Sequence, residues 1–189
     1  VYEANIHYPT DSSLIADGLR KVLGTAVRLA GLFGLIGWRQ HKHLWKKVKR
    51  LVRQIERIAS RKRPGYQEEL KPLYRELLAM AEEILGRAEE LQKAAKTRRT
   101  ANAEPTALET QLAAFLERTR QVCGTARRRV LQDEKVPNEE KLFSIFEPHT
   151  QLYKRGKASQ PVQFGRLVLV YEDGAGFLTH YCMLPRDAN

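Results

Sequence analysis

Two cysteines, two methionines, two tryptophans and five histidines are all that 189 residues contain of those types, and each scarcity excludes something. Cys123 and Cys182 lie far apart in different expected elements. They fit no metal-ligand spacing and no disulfide framework, so buried thiols in a reducing compartment are the reading. His7, His41, His43, His149 and His180 are scattered, and the two that lie close, His41 and His43, would point to different faces of a helix. A zinc site is not expected. Long apolar runs are missing too. Leu29–Trp38 is the most apolar stretch, but Arg28 and Arg39 bracket it far short of the ~20 residues that a membrane span needs. No signal-peptide pattern opens the chain. A cytoplasmic protein without a membrane partner is the expectation. Acid is the last shortage: 22 Asp and Glu stand against 33 Lys and Arg, a net charge of +11. Such an excess favours polyanionic partners, nucleic acid first and anionic membrane second.

What the chain does contain is mostly helix pattern. Val1–Tyr8 is short and β-prone, and Pro9 ends it. Thr10, Asp11 or Ser12 then offers a side-chain oxygen to cap a helix, with capping the favoured role for Asp11. That helix is marked by Leu14, Leu19, Val22, Leu23, Ala26, Ala30 and Phe33, and weakened at its far end by Gly31, Gly34 and Gly37.

A second helix is expected from about His41 to Arg61, where Leu44, Val48, Leu51, Val52, Ile55 and Ile58 make one apolar stripe. Between Arg39 and Arg63 stand eleven cations (39, 42, 46, 47, 49, 50, 53, 57, 61, 62 and 63) against one acid, Glu56. That accounts for nearly all of the chain's surplus charge. Like charges along one helix repel, at roughly 0.2–0.5 kcal/mol per i,i+4 pair, unless something anionic offsets them. Phosphate contact is the favoured reading, and a solvated face beside an acidic neighbour is the rival.

Arg63-Pro64-Gly65 breaks the helix. A third, about Gln67 to Lys96, carries Leu70, Leu73, Leu77, Ala81, Ile84, Ala88 and Leu91 at near-heptad spacing, which suits antiparallel packing on the second across a short loop. Its seven glutamates (68, 69, 76, 82, 83, 89 and 90) are expected to match part of the basic helix. Pro72 falls in its first turns, where proline is tolerated. Lys96–Pro105 reads as loop. A fourth helix, about Thr106 to Gln132, ends in Arg127-Arg128-Arg129, which either favours the helix dipole or contacts DNA.

The end of the chain is the longest β-pattern. Phe164–Tyr171 and Phe177–Leu184 flank Asp173-Gly174-Ala175-Gly176 and read as an antiparallel hairpin, with Asp173 in the turn. Lys154-Arg155-Gly156-Lys157 lies before it on an expected loop, and Pro161 opens the strand. The absence of an initiator Met, and an end straight after a strand, read as a piece of a longer protein.

Two blocks are similar to bacterial insertion-sequence DDE transposases. Glu3-Ala4-Asn5-Ile6-His7-Tyr8-Pro9-Thr10-Asp11-Ser12-Ser13-Leu14 resembles the segment after the family's first catalytic aspartate. Lys135-Val136-Pro137, then Phe143-Ser144-Ile145-Phe146-Glu147-Pro148-His149-Thr150, Lys154-Arg155-Gly156-Lys157 and Phe164-Gly165 resemble the entry to the next two strands. The blocks cover about a third of the chain, in the family's order.

The resemblance implies an α+β fold: a partial ribonuclease H-like antiparallel sheet, made of an N-terminal strand and a C-terminal hairpin, with a large inserted antiparallel helical bundle. Residues 1–9 would be the first strand of a split catalytic domain, 10–134 the insertion and 135–189 the continuation. It implies DNA cleavage and strand transfer by three carboxylates holding Mg²⁺ or Mn²⁺, two cations ~4 Å apart that stabilise attacking and leaving oxygens. None of the three maps onto this chain. The first is expected before Val1 and the others after Asn189, so no catalytic or metal-binding residue is assigned. Glu3 is at most a weak substitute, and Asp187 lies in the tail.

The implied partner is DNA, at transposon ends and target, and a homo-oligomer is left open. Lys154, Arg155 and Lys157 near the sheet edge, with Lys42, Lys46, Lys49, Arg50 and Arg53 on the bundle, are the residues chosen for phosphate contact, which positions DNA without reading sequence. The rival classes are a basic helical module binding RNA or the ribosome without catalysis, and an interaction protein whose second and third helices pair with another chain.

Overall fold

The computed structural model describes residues 9–98, 106–154 and 162–184, and it is an α+β arrangement of four helices and two small antiparallel hairpins. The segment Val1–Tyr8, where a first strand is expected, with Glu3, and the tail with Asp187 lie outside the described residues, as do Arg155 and Lys157.

Helix α1, Asp11–Leu32, starts at Thr10. The Thr10 hydroxyl accepts from the Ser13 amide at 3.2 Å, and the Thr10 amide donates to the Ser13 hydroxyl at 3.0 Å. Two amides that a helix start would leave unpaired are thereby satisfied. Thr10 is therefore the cap, and Asp11 is the first-turn acid, a correction to the role favoured for it. Beyond Leu32 the chain turns through Gly34 and Gly37, both at positive φ (61° and 108°). Guanidinium groups from the third helix close that corner: Arg98 donates to the Phe33 carbonyl at 2.7 Å and Arg87 to the Gly37 carbonyl at 2.8 Å.

Helix α2 is His41–Arg61, the span read from its periodicity, and α3 is Tyr66–Arg98. Pro72 is the seventh residue of α3, still early enough that only one ladder hydrogen bond, to Glu68, is lost. Helix α4, Ala107–Ala126, is capped by Thr106 and Glu109 in the same reciprocal way as α1. It does not continue regularly to Gln132. Arg127–Leu131 widens into a π-helical turn, after which Asp133 takes a left-handed conformation (φ 53°) and holds Lys71 at 2.8 Å.

Helix α1 packs most extensively on α4, and α2 packs on α1 and α3. The core is continuous, built from Ile15, Leu19, Val22 and Leu29 of α1, Val48, Leu51 and Ile55 of α2, Leu77, Leu78 and Ile84 of α3, and Leu112, Phe115 and Val122 of α4. At the α1–α4 crossing a Cβ on Gly18 would lie 2.3 Å from the Thr119 hydroxyl oxygen. Thr119 is fully buried and donates to the Phe115 carbonyl, so it has no room to yield. After the bundle, Val136, Leu142 and Ile145 are buried, and Arg118 of α4 donates to the Ile145 carbonyl at 2.9 Å.

The strands fall into two separate pairs. β1, Gln151–Lys154, runs antiparallel to β2, Val162–Gly165, and β3, Val168–Glu172, to β4, Leu178–Met183. The run Phe164–Tyr171 is thus two strands with different partners, divided at Arg166-Leu167. Gly165 and Arg166 interrupt the β-branched pattern there, and a glycine without Cβ holds a strand weakly. The β3–β4 turn is as read: the Asp173 carboxylate accepts from the Ala175 and Phe177 amides at 2.9 Å each, and Gly176 takes φ 86°.

Candidate nucleic-acid interface

Helix α2 has two faces. At about 100° per residue, Lys42, Lys46, Lys49, Arg50, Arg53 and Arg57 fall within roughly a third of the circumference, diametrically opposite the stripe of Val48, Leu51, Val52 and Ile55. The stripe is buried and all six cations are exposed. Burying four such side chains stabilises α2 in place by roughly 6–12 kcal/mol. The like-charge i,i+4 pairs 42/46, 46/50, 49/53, 53/57 and 57/61 oppose it by about 1–2.5 kcal/mol. Packing wins, and the bundle can hold a self-repelling face outward.

Glu56, the one acid of α2, is exposed at the edge of that face and forms no ion pair with these cations. Among the described residues, no cation from Arg39 to Arg63 lies within 4.0 Å of a carboxylate. The expectation that the acids of α3 would match part of α2 is corrected here. Glu89 pairs with Arg120 at 2.5 Å, Glu82 with Arg127, and Glu68 with Lys71 at 2.7 Å, so these acids of α3 serve α4, its π-helical end and α3 itself. The first turn of α2 also carries no acid and its cap Gln40 makes no side-chain hydrogen bond. Positive charge at a helix N-terminus is disfavoured by the dipole, which adds to the local cost and to the attraction for an anion. Lys46, Lys49, Arg50, Arg53, Gln54 and Arg57 line a shallow open depression of about 600 Å³.

The structure thus brings Lys42, Lys46, Lys49, Arg50 and Arg53 together and adds Arg57, which completes the same stripe and which the helical spacing could have supplied. Lys154 is not among the residues that line the depression. Lys154 is the exposed last residue of β1, opposite Val162, and not part of a loop as expected. A strand of four residues with Gln and Lys in it carries too little β-signal to be seen from sequence.

The arginine triplet answers differently. Arg127 pairs with Glu82, Arg128 with Glu134 (2.8 Å from Nε) and Glu140, and Arg129 with both oxygens of Asp11 at 2.9 Å. The π-helical turn splays the three side chains toward three different segments. DNA contact by this triplet is therefore not supported, and neither is a simple dipole role. Asp11 is largely buried, and burial raises its carboxyl above the ordinary 3.8 although Arg129 and Lys141 pull it down. Its neighbour Tyr74 is pushed up to about 12, first by burial and then by the Asp11 charge, and hydrogen-bonds Ser12. Burial likewise holds Cys123 as a thiol, up at about 12, while Cys182 is exposed.

Among the described residues no three His, Cys, Asp or Glu side chains are grouped to hold a metal ion, and no helix is long and apolar enough to cross a membrane. Comparison of the chain with family models, with curated proteins and with solved structures returns no match.

Proposed function

We propose that this chain is part of a DDE transposase, and that the outward face of α2 holds DNA by its phosphates. In that reading, residues 10–134 are a helical bundle inserted into a ribonuclease H-like catalytic domain whose sheet is built from both ends of the chain. The whole enzyme cuts and joins DNA with Mg²⁺ or Mn²⁺. The family part rests on the two blocks of resemblance around Thr10-Asp11-Ser12 and Phe146-Glu147-Pro148. The DNA part rests on one observation: a row of exposed cations on α2 that, among the described residues, form no ion pair, in a molecule that pairs arginines elsewhere.

The residues described do not fit the metal pair. Two acids inside the resembling blocks are described: Asp11 is held by Arg129 on both oxygens, and neither it nor Glu147 belongs to a described group of three His, Cys, Asp or Glu that could hold a metal ion. No step through a metal is assigned to this chain.

The test is fluorescence anisotropy of a labelled DNA titrated with the full chain. Tight binding at about 50 mM NaCl that weakens steeply toward 200 mM is expected, because each neutralised phosphate releases counterions. Affinity that ignores salt, or that survives Lys46→Glu/Arg50→Glu/Arg53→Glu, would remove α2 from the interface. On Mg²⁺ or Mn²⁺ the chain alone is expected not to nick DNA. Nicking that disappears in Asp11→Ala would reverse the assignment of the acids.

A further inference from the structure

We infer that the corner between α1 and α2 is an apolar wedge, Ile36 at its point and Leu32 beside it, that enters between base pairs of a bound duplex and kinks it. The inference rests on the reading that α2 faces DNA. It concerns other residues, outside the cation row, and an effect that phosphate contact does not produce.

The stretch Leu32-Phe33-Gly34-Leu35-Ile36-Gly37-Trp38 carries five large apolar side chains, and the fold divides them. Trp38 is buried, and Phe33 and Leu35 pack against the core. Leu32 and Ile36 are left in water, 58% and 94% exposed. Single exposed aliphatics are ordinary on a protein surface; the mount is what sets this pair apart. The Leu35 amide donates to the Ala30 carbonyl at 2.8 Å. Arg98 also reaches the Gly34 carbonyl, at 3.3 Å, and the Arg87 guanidinium that donates to Gly37 lies over the Trp38 ring, 5.3 Å from its centre. The His41 ring nitrogen Nδ1 is 2.8 Å from the Trp38 carbonyl oxygen. Hydrogen bonds thus fix the backbone on both sides of Ile36, and a side chain held in place beforehand loses less freedom on binding.

Charge says what the point meets. From Gly18 to Ile55 the sequence holds no Asp or Glu. Arg28, one turn before Leu32 on α1, is exposed, and so are Arg39 and Lys42 just after the corner. An apolar point in an acid-free, cationic setting suits a polyanion with an apolar interior, which describes a stacked duplex and an anionic lipid surface alike. Size decides between them. Lipid binding grows with the apolar area buried, and even one myristoyl chain holds a protein only marginally. Leu32 and Ile36 offer less than that chain. A duplex, by contrast, is kinked by individual Leu or Ile side chains wedged between base steps beside cations. The kink costs least at flexible pyrimidine–purine steps, so the wedge gives the chain a preference that the cation row does not.

The full chain is titrated into two duplexes of about 30 bp, dye-labelled at both ends, one with TA steps at its centre and one with an A-tract. Energy transfer should rise on binding, reporting a bend of about 20–90°, with the TA duplex held about tenfold tighter. Ile36→Ala/Leu32→Ala should abolish the bend and the preference while keeping the parent's salt slope and its helix content by circular dichroism. Ile36→Phe should keep both effects. Binding without a bend, or a bend that survives Ile36→Ala/Leu32→Ala, overturns the wedge and leaves α2 as the DNA face. Sedimentation with phosphatidylglycerol vesicles that this variant loses, its DNA bend intact, assigns the corner to lipid and overturns the wedge too. Absence of binding to either duplex removes the underlying proposal as well.

Discussion

Helix α2 and the turn Arg127–Arg129 are the two most basic places in the described chain, and they use the same side chains to opposite ends. Among the described residues, none of the six cations on the outward face of α2 has a carboxylate within 4.0 Å, whereas each arginine of the turn has at least one. The turn ties α4 to α3, to the start of α1 and to the segment around Glu134 and Glu140. Local density of charge therefore says little about role. What separates the two is the acids that the fold brings alongside.

The comparison breaks most sharply if DNA affinity does not follow the unpaired set. Lys46→Gln/Arg50→Gln/Arg53→Gln should weaken DNA binding about a hundredfold near 150 mM salt, three phosphate contacts being lost. The same variant should unfold at a higher urea concentration than the parent, by about 1 kcal/mol, because four of the five repulsive i,i+4 pairs are relieved. Lower affinity with higher stability is the signature of a face kept for a partner.

Arg129→Ala should do the reverse, costing about 2 kcal/mol in urea unfolding with DNA affinity unchanged, because it leaves the largely buried Asp11 carboxylate without its guanidinium. The sign of the pH dependence follows from Asp11. Its folded pKa is raised above 3.8, so the folded state holds the proton more tightly than the unfolded state does. Its contribution is greatest below the unfolded value and is lost as pH rises through the folded one. Asp11→Asn should delete that component from the stability profile on the acid side, and should soften the cost of Arg129→Ala in a double-mutant cycle.

Gly18→Ala tests the frame on which both regions hang. Thr119 cannot move aside, so an overpacking cost of about 1–3 kcal/mol is expected as a lower midpoint in urea, with DNA affinity per folded molecule retained. Arg127→Gln is the smallest change. Its pair with Glu82 is half-exposed, and such pairs contribute under about 1 kcal/mol.

Helix α2 was legible in the sequence down to its ends, because an apolar stripe and a cationic stripe half a turn apart both repeat with the helical period. The bundle was legible for the same reason. The partners of Arg127–Arg129 were not. Asp11 lies 118 residues from Arg129 and Glu82 lies 45 from Arg127, and no local pattern encodes such pairings. Nor was the division of Phe164–Tyr171 visible, since alternation marks a strand without saying which neighbour it will pair with. The cap at Thr10 was among three candidates, and only the reciprocal bonds with Ser13 chose between them.

Between α2 and α3 stand only Lys62, Arg63, Pro64 and Gly65, with Lys62 at φ 46° and Gly65 at φ 80°. A joint that short, with a proline and two left-handed residues in it, has almost no slack for a hinge. The cation row is thus mounted like a fixed rail whose angle the acidic helix behind it dictates, and a curved polyanion would have to straighten to lie along it.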